Sequence, residues 1–242
     1  MTASLLWEQQ VGTEGERRAA VLRHVKRYKI TLVHAVKRLF FPPHVEPDHK
    51  KAYAAALALL NSLAEEGRLE RLKGRSEFAR NVFISPGHML KEDADLSRIW
   101  FCLMNRERRH LTQHDEVTPV FDAEYADPPY HNYAHAIADA PGGPVLLRLY
   151  LCAAEKKHAR QQLVDHISKK AKSFRNWVDS GSYGVAVLVQ SEQKRKEIDS
   201  LISRSHGGKP PLREQARFVV ETVPTVQSFP QAIKKHEAEL WR

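Results

Sequence analysis

Residues 52–86 read AYAAALALLNSLAEEGRLERLKGRSEFARNVFISP. Ala52, Ala56, Leu59, Leu60 and Leu63 recur at helical spacing on one face, and Gly67 stands where a helix closes through a left-handed cap. The helix is predicted to open near Asp48, just after Pro47. The period then changes to two. RLERLK sets Leu69 and Leu72 among charges, Gly74 marks a turn, and RNVFIS returns with Val82 and Ile84 alternating. A long helix therefore leads into a short cationic hairpin.

Working upstream, ERRAAVLRHVKRY (16–28) carries Val21, Leu22, Val25 and Tyr28 at helical spacing. TLVHAVKRLFF follows, with Thr31 as the expected N-cap and Leu32, Val36, Leu39 and Phe40 on one face. Pro42 and Pro43 stop it. Three helices and a two-stranded hairpin, in that order, make a winged helix-turn-helix over residues 16–86, preceded by an N-terminal arm, 1–15. In such a module the early residues of the third helix meet the major groove or its phosphates. Here they are His49, Lys50, Lys51 and Tyr53, and the hairpin adds Lys73, Arg75 and Arg80. Beyond them the outward face is Ala54, Ala55, Ala58 and Asn61. Alanine can touch a thymine methyl but donates no hydrogen bond, so sequence preference is expected to be modest.

Downstream, 87–130 reads as a helical connector: KEDADLS is polar, RIWFCLMNRERR a short helix, and TQHDEVTPVF a second one opening on Thr112 and Asp115. DAEYADPPYHNY reads as a loop. Over 131–242, YAHAIAD, VLLRLYLCA, YGVAVLVQ and ARFVVETV are strand-like, with a hairpin signal at DAPGGPV. Helices are predicted over Glu155–Val178, Ser191–Ser203 and the tail PQAIKKHEAELW. YGVAVLVQ is apolar almost throughout, as a buried central strand should be. The order β-β-α-β-α-β defines a second, α/β domain with a mixed sheet, and the whole chain reads as α+β.

The formal net charge of the 242 residues is +9. Residues 16–84 hold 15 Lys/Arg against 7 Asp/Glu, an excess of +8; residues 86–139 hold 5 against 10, a deficit of −5. Residues 155–175 hold 7 against 2, an excess of +5. Two basic blocks separated by an acidic one suit a polyanion, because each neutralised phosphate releases counterions. Lys156, Lys157, Arg160, Lys169 and Lys170 are candidates for a second DNA surface. No run of 18 apolar residues or secretory leader occurs, and Cys102 and Cys152 sit in apolar stretches as expected free thiols, so a cytoplasmic setting is expected.

No chemistry-bearing motif stands out. His110 and His114, like His131 and His135, are four apart, yet neither pair forms HExxH or has a cysteine pair beside it. DAPGGPV lacks the lysine-serine ending of a phosphate loop, and no serine sits in a nucleophile elbow. No catalytic residue, metal, cofactor or small-molecule ligand is expected.

RRAAVLRHVKRYKITLVHAVKRLFF (17–41) with LALLNSLAEEGRLERL (57–72) resembles the winged-helix half of the bacterial replication-relaxation family of plasmids and other mobile elements. The resemblance implies a second domain similar to restriction-type nucleases, with an acid on one strand and an acid-x-lysine set on the next. At the matching positions this chain has Tyr133 or His135, then Cys152 and Ala154, with Glu155 and Lys156 just beyond. These residues supply no hard oxygen ligand at the expected places. The resemblance thus implies a catalytically silent nuclease-like domain and a non-enzymatic protein of replication, transfer or transcriptional control. Double-stranded DNA is the expected partner. A homodimer is expected too, with Ile233, Leu240 and Trp241 as a candidate interface or a cover for the sheet. The alternatives are a metal-dependent nuclease with displaced ligands, detectable by EDTA-sensitive plasmid nicking, and a protein–protein adaptor.

Overall fold

The computed structural model describes residues 13–73, 81–103, 109–112, 116–117, 120–121, 135–140, 142–152, 175–205 and 210–240. They form a mixed α+β chain with two sheets. The chain divides into two compact units, one drawn from Glu8–Met104 and Thr225–Arg242, the other containing Asn105–Pro224. Among the described residues no helix is long and apolar enough to cross a membrane.

In the first unit, α1 (Glu14–Tyr28) opens on a capping box: Thr13 Oγ1 accepts from the Glu16 N–H at 3.2 Å, and Glu16 Oε2 accepts from the Thr13 N–H at 2.8 Å. It ends on Lys29, whose left-handed backbone (φ 68°) returns its N–H to the Val25 carbonyl. The chain then forms β1 (Ile30–Leu32), where a helix cap was expected. Thr31 caps nothing; its side chain is fully buried and meets His24 Nε2 at 2.9 Å. The β-branched pair Ile30 and Thr31 favours the extended form, and β3 is there to pair with it.

α2 (Val33–Phe40) follows without a side-chain cap, and α3 (His49–Glu65) is capped by Asp48. Gly67 (φ +69°) turns the chain out of α3, and the N–H groups of Arg68 and Leu69 both reach back to the Leu63 carbonyl. β2 (Glu70–Arg71) and β3 (Val82–Ile84) complete an antiparallel sheet of order β1-β3-β2, so the expected hairpin is the outer part of a three-stranded sheet. The stripe predicted for α3 is the buried one: Ala52, Ala56, Leu59, Leu60 and Leu63 pack against Val21, Val25, Val36 and Phe83.

α4 (Glu92–Leu103) begins inside the stretch read as a polar connector. Asp95 explains the shift. Its carboxylate is 1% exposed and takes hydrogen bonds from the Lys91 N–H, Arg98 and His88, all at 2.9 Å, which anchors the first turn. Chain order had assigned the C-terminal helix, here α8 (Phe229–Leu240), to the second domain, but its contacts are with the first unit. Phe229 is fully buried and meets Trp100 of α4 edge-on at 5.6 Å, and Ile233 is 4% exposed. That burial leaves Ile233 unavailable as a dimer contact. Leu240 has no described side chain, and Trp241 lies outside the described residues.

The second unit is a five-stranded sheet of order β4-β5-β6-β7-β8: β4 (Arg109–Leu111), β5 (His135–Ala140), β6 (Gly143–Cys152), β7 (Tyr183–Val189) and β8 (Arg217–Thr222). The first three strands run antiparallel, and β6, β7 and β8 are parallel. β4 lies at the junction of two predicted helices and takes only Arg109 from the first; a three-residue strand is too short to show its period. β7 is buried along its whole length. One face is covered by Trp177 of α5 (Arg175–Asp179), by Ile198, Leu201 and Ile202 of α6 (Glu192–Ile202), and by Leu212 of α7 (Leu212–Gln215). On the other face Arg109 and Glu221, from opposite edge strands, meet at 2.5 Å, so the sheet is curled enough to bring its edges together. Ala136, Ala138, Gly184 and Ala186 leave room for that curl.

Candidate nucleic-acid interface

The N-terminus of α3 is fixed by Asp48. Its Oδ1 accepts from the Lys50 and Lys51 N–H groups at 2.8 and 3.1 Å, and these backbone bonds, Lys51 first, hold its carboxyl below the usual range. The cap fixes the first turn so that the side chains of Lys50 and Lys51 are both exposed.

The other two residues singled out on α3 are engaged within the unit. His49 is half-exposed, but its Nε2 accepts from Lys37 Nζ at 2.8 Å and lies 3.4 Å from Glu237 Oε2. Tyr53 donates its hydroxyl to Asn81 Oδ1 at 2.6 Å, and its ring lies 5.1 Å from that of His34. Farther along α3, Ala54 and Ala58 are exposed and Asn61 is half-buried, so this surface offers few groups that read base edges.

Lys73 is exposed on the chain leaving β2, beside an open groove of about 850 Å³ between the end of α3 and the sheet. Asn61, Glu65, Glu70 and Arg71 line the same groove. Arg71 is exposed and its guanidinium lies 5.7 Å from the centre of the Phe83 ring. Sequence reasoning passed over Arg71 because it treated RLERLK as an alternating strand; a two-residue strand exposes both Glu70 and Arg71. Arg75 and Arg80 lie outside the described residues, as do Lys156, Lys157, Arg160, Lys169 and Lys170.

Behind α3 lies a polar cluster that sequence reasoning missed. The Lys37 side chain is fully buried, and its Nζ lies 2.5 Å from Glu237 Oε1. His34 Nδ1 approaches the same oxygen at 2.8 Å, a close contact but not a well-aligned hydrogen bond. Burial alone would raise the Glu237 carboxyl, but His34 and Lys37 outweigh it and bring it down to about 2. Burial lowers Lys37, and Glu237 opposes that shift. Arg38 also donates to His236 of α8 at 2.7 Å. α8 is thereby pinned to α2 and, through His49, to the start of α3.

In the second unit, the positions compared with nuclease ligands are partly visible. His135 is 1% exposed and stands opposite Arg148 across the β5–β6 ladder. Tyr133, Ala154, Glu155 and Lys156 lie outside the described residues, and the side chain of Cys152 is not described. His110 lies 3.8 Å from Glu116, while His114 and His131 are outside. Among the described residues no three of His, Cys, Asp and Glu gather closely enough to hold a metal ion. Comparison of the chain with family models, with curated proteins and with solved structures finds no match.

Proposed function

We propose that this is a non-enzymatic DNA-binding protein whose first unit acts as a winged helix, with α3 directed to the major groove and the β2–β3 connection as its wing. The observation that carries the reading is the order α1-β1-α2-α3-β2-β3 with an antiparallel β1-β3-β2 sheet. It delivers Lys50 and Lys51 at a capped helix start and Arg71 and Lys73 beside that helix's end. Long exposed cations on a rigid frame suit phosphate contacts, which position a protein without reading sequence. His49 and Tyr53 act as internal supports of α3 in this reading, and Lys50 and Lys51 carry the contact.

The mixed sheet of the second unit is in keeping with a nuclease-like scaffold that has lost its acids. The sequence resemblance to the replication-relaxation family supports a setting on a plasmid or other mobile element, in replication, transfer or transcriptional control, and in this reading a dimer strengthens weak single-site binding.

Charge reversal tests the reading. Lys50→Glu combined with Lys51→Glu should weaken binding to duplexes of unrelated sequence by a similar factor, with the fold intact by circular dichroism. Undiminished affinity in that variant refutes the assignment of α3.

A further inference from the structure

Four polar side chains share the face of the second sheet that otherwise presents Ile137, Leu146 and Val185. His135 of β5 pairs in register with Arg148 of β6; Tyr150 is the next β6 residue on that face; Tyr183 of β7 pairs with Leu146. The rings of His135 and Tyr183 are 6.3 Å apart, and the Arg148 guanidinium lies 5.7 Å from the centre of the Tyr150 ring. His135 and Tyr183 are buried, at 1% and 3% exposure, and Arg148 and Tyr150 are half-buried. The first pair is the more deeply buried, and solvent partly reaches the second.

Arg148 is the unusual member. Its Nε and Nη1 are buried, and among the described residues no acceptor forms a hydrogen bond with either. Arg148 also pairs with the Tyr150 hydroxyl, but two buried N–H groups left without an acceptor are disfavoured. The neighbours suit an anion. Burial pushes both tyrosine hydroxyls up, and Arg148 draws Tyr150 only partly back, so both remain O–H donors at neutral pH. Two carboxylates lie toward the same face. Glu116 lies 3.8 Å from His110 on β4, and Asp139 is exposed near the far end of β5.

We propose that Arg148, Tyr150, Tyr183 and His135 form a binding site for phosphate. Nε–H and Nη1–H diverge, so one of them can donate a charge-assisted hydrogen bond to a phosphate oxygen, and the phenols and imidazole can meet the others. The ligand is inorganic phosphate or the terminal phosphate of a nucleic-acid strand. The site does not depend on the DNA-binding role given to the first unit.

Calorimetric titration of the full chain with sodium phosphate, at constant ionic strength in chloride, tests this. Saturable binding is expected, weakened about tenfold or more in Arg148→Met and less in Arg148→Lys. No saturable binding up to about 20 mM phosphate overturns the proposal, as does wild-type affinity in a folded Arg148→Met protein. Should that variant not fold, Tyr150→Phe at this half-buried position serves instead: weakened binding is expected, and unchanged binding overturns the site. Two dinucleotides that differ only in a 5′-phosphate separate the sources. Tighter binding of the phosphorylated one than of inorganic phosphate, lost in the Arg148 variant, assigns a strand terminus; equal or weaker binding assigns the free anion.

Discussion

Replacing Glu237 by alanine would leave Lys37 as a buried ammonium with its carboxylate partner removed. The Lys37 side chain is fully buried and that of Glu237 is 10% exposed, so solvent screens the pair little. Breaking one side of such a pair costs about 3–5 kcal/mol, because the remaining charge stays desolvated. The carboxyl's own titration leads to a similar figure. Its folded value of about 2 against an ordinary 4.5 corresponds to about 3 kcal/mol of stabilisation at neutral pH. Because the folded value is the lower one, this stabilisation is complete above pH 4.5 and is lost as pH falls toward 2. The chain has two units and need not unfold in one step, so hydrogen exchange resolved by element is the suitable assay. Glu237→Ala should speed exchange of the slowest amides in α2 and α3 by about 100- to 4,000-fold, while β7 is unchanged. Glu237→Leu combined with Lys37→Met should recover most of the loss, since an apolar pair needs no compensation. Exchange in α2 and α3 within about threefold of wild type after Glu237→Ala would refute the reasoning.

The buried His24 imidazole is held down to about 3, by burial first and then by Arg27. The unfolded chain therefore binds the proton more readily between pH 3 and 6.5, and the first unit should lose about 1.4 kcal/mol per pH unit on acidification through that range. Denaturant titrations at pH 7 and pH 5 should differ by about 2 kcal/mol, and His24→Leu should flatten the difference. In the second unit, a Cβ on Gly184 would lie 2.9 Å from the Arg217 carbonyl oxygen and 3.0 Å from Leu147 Cδ2. Gly184→Ala should cost about 1–3 kcal/mol, seen as a lower melting temperature of that unit. Lys73→Ala should reduce the salt slope of DNA binding by about one while lowering affinity similarly on all duplexes.

The helical stripes were legible because burial follows the period: Ala52, Ala56, Leu59, Leu60 and Leu63 are the residues that α3 buries. The start of α6, where Ser191 Oγ accepts from the Lys194 N–H at 3.2 Å, and the apolar run at Tyr183–Val189 were equally plain. The Thr13–Glu16 capping box was overlooked although its spacing is present, because the apolar pattern begins only at Ala20. β1 was hidden because Thr31 suits both a cap and a strand, and only its partner β3 decides. The surface around α3 was half legible. Exposed lysines follow from charge, but the internal roles of His49 and Tyr53 depend on Glu237 and Asn81, which are distant in sequence. A buried Lys37 contradicts the ordinary habit of lysine, and nothing local to residue 37 announces the α8 carboxylate it meets.

The first unit is proposed to grip a phosphate backbone through α3 and the sheet beside it. A fluorescence anisotropy titration of a labelled duplex at about 50 and 200 mM salt measures this directly. Binding is predicted at the lower salt, with log affinity falling linearly with log salt at a slope set by several phosphate contacts. No binding at the lower salt, or affinity indifferent to salt, would contradict the account.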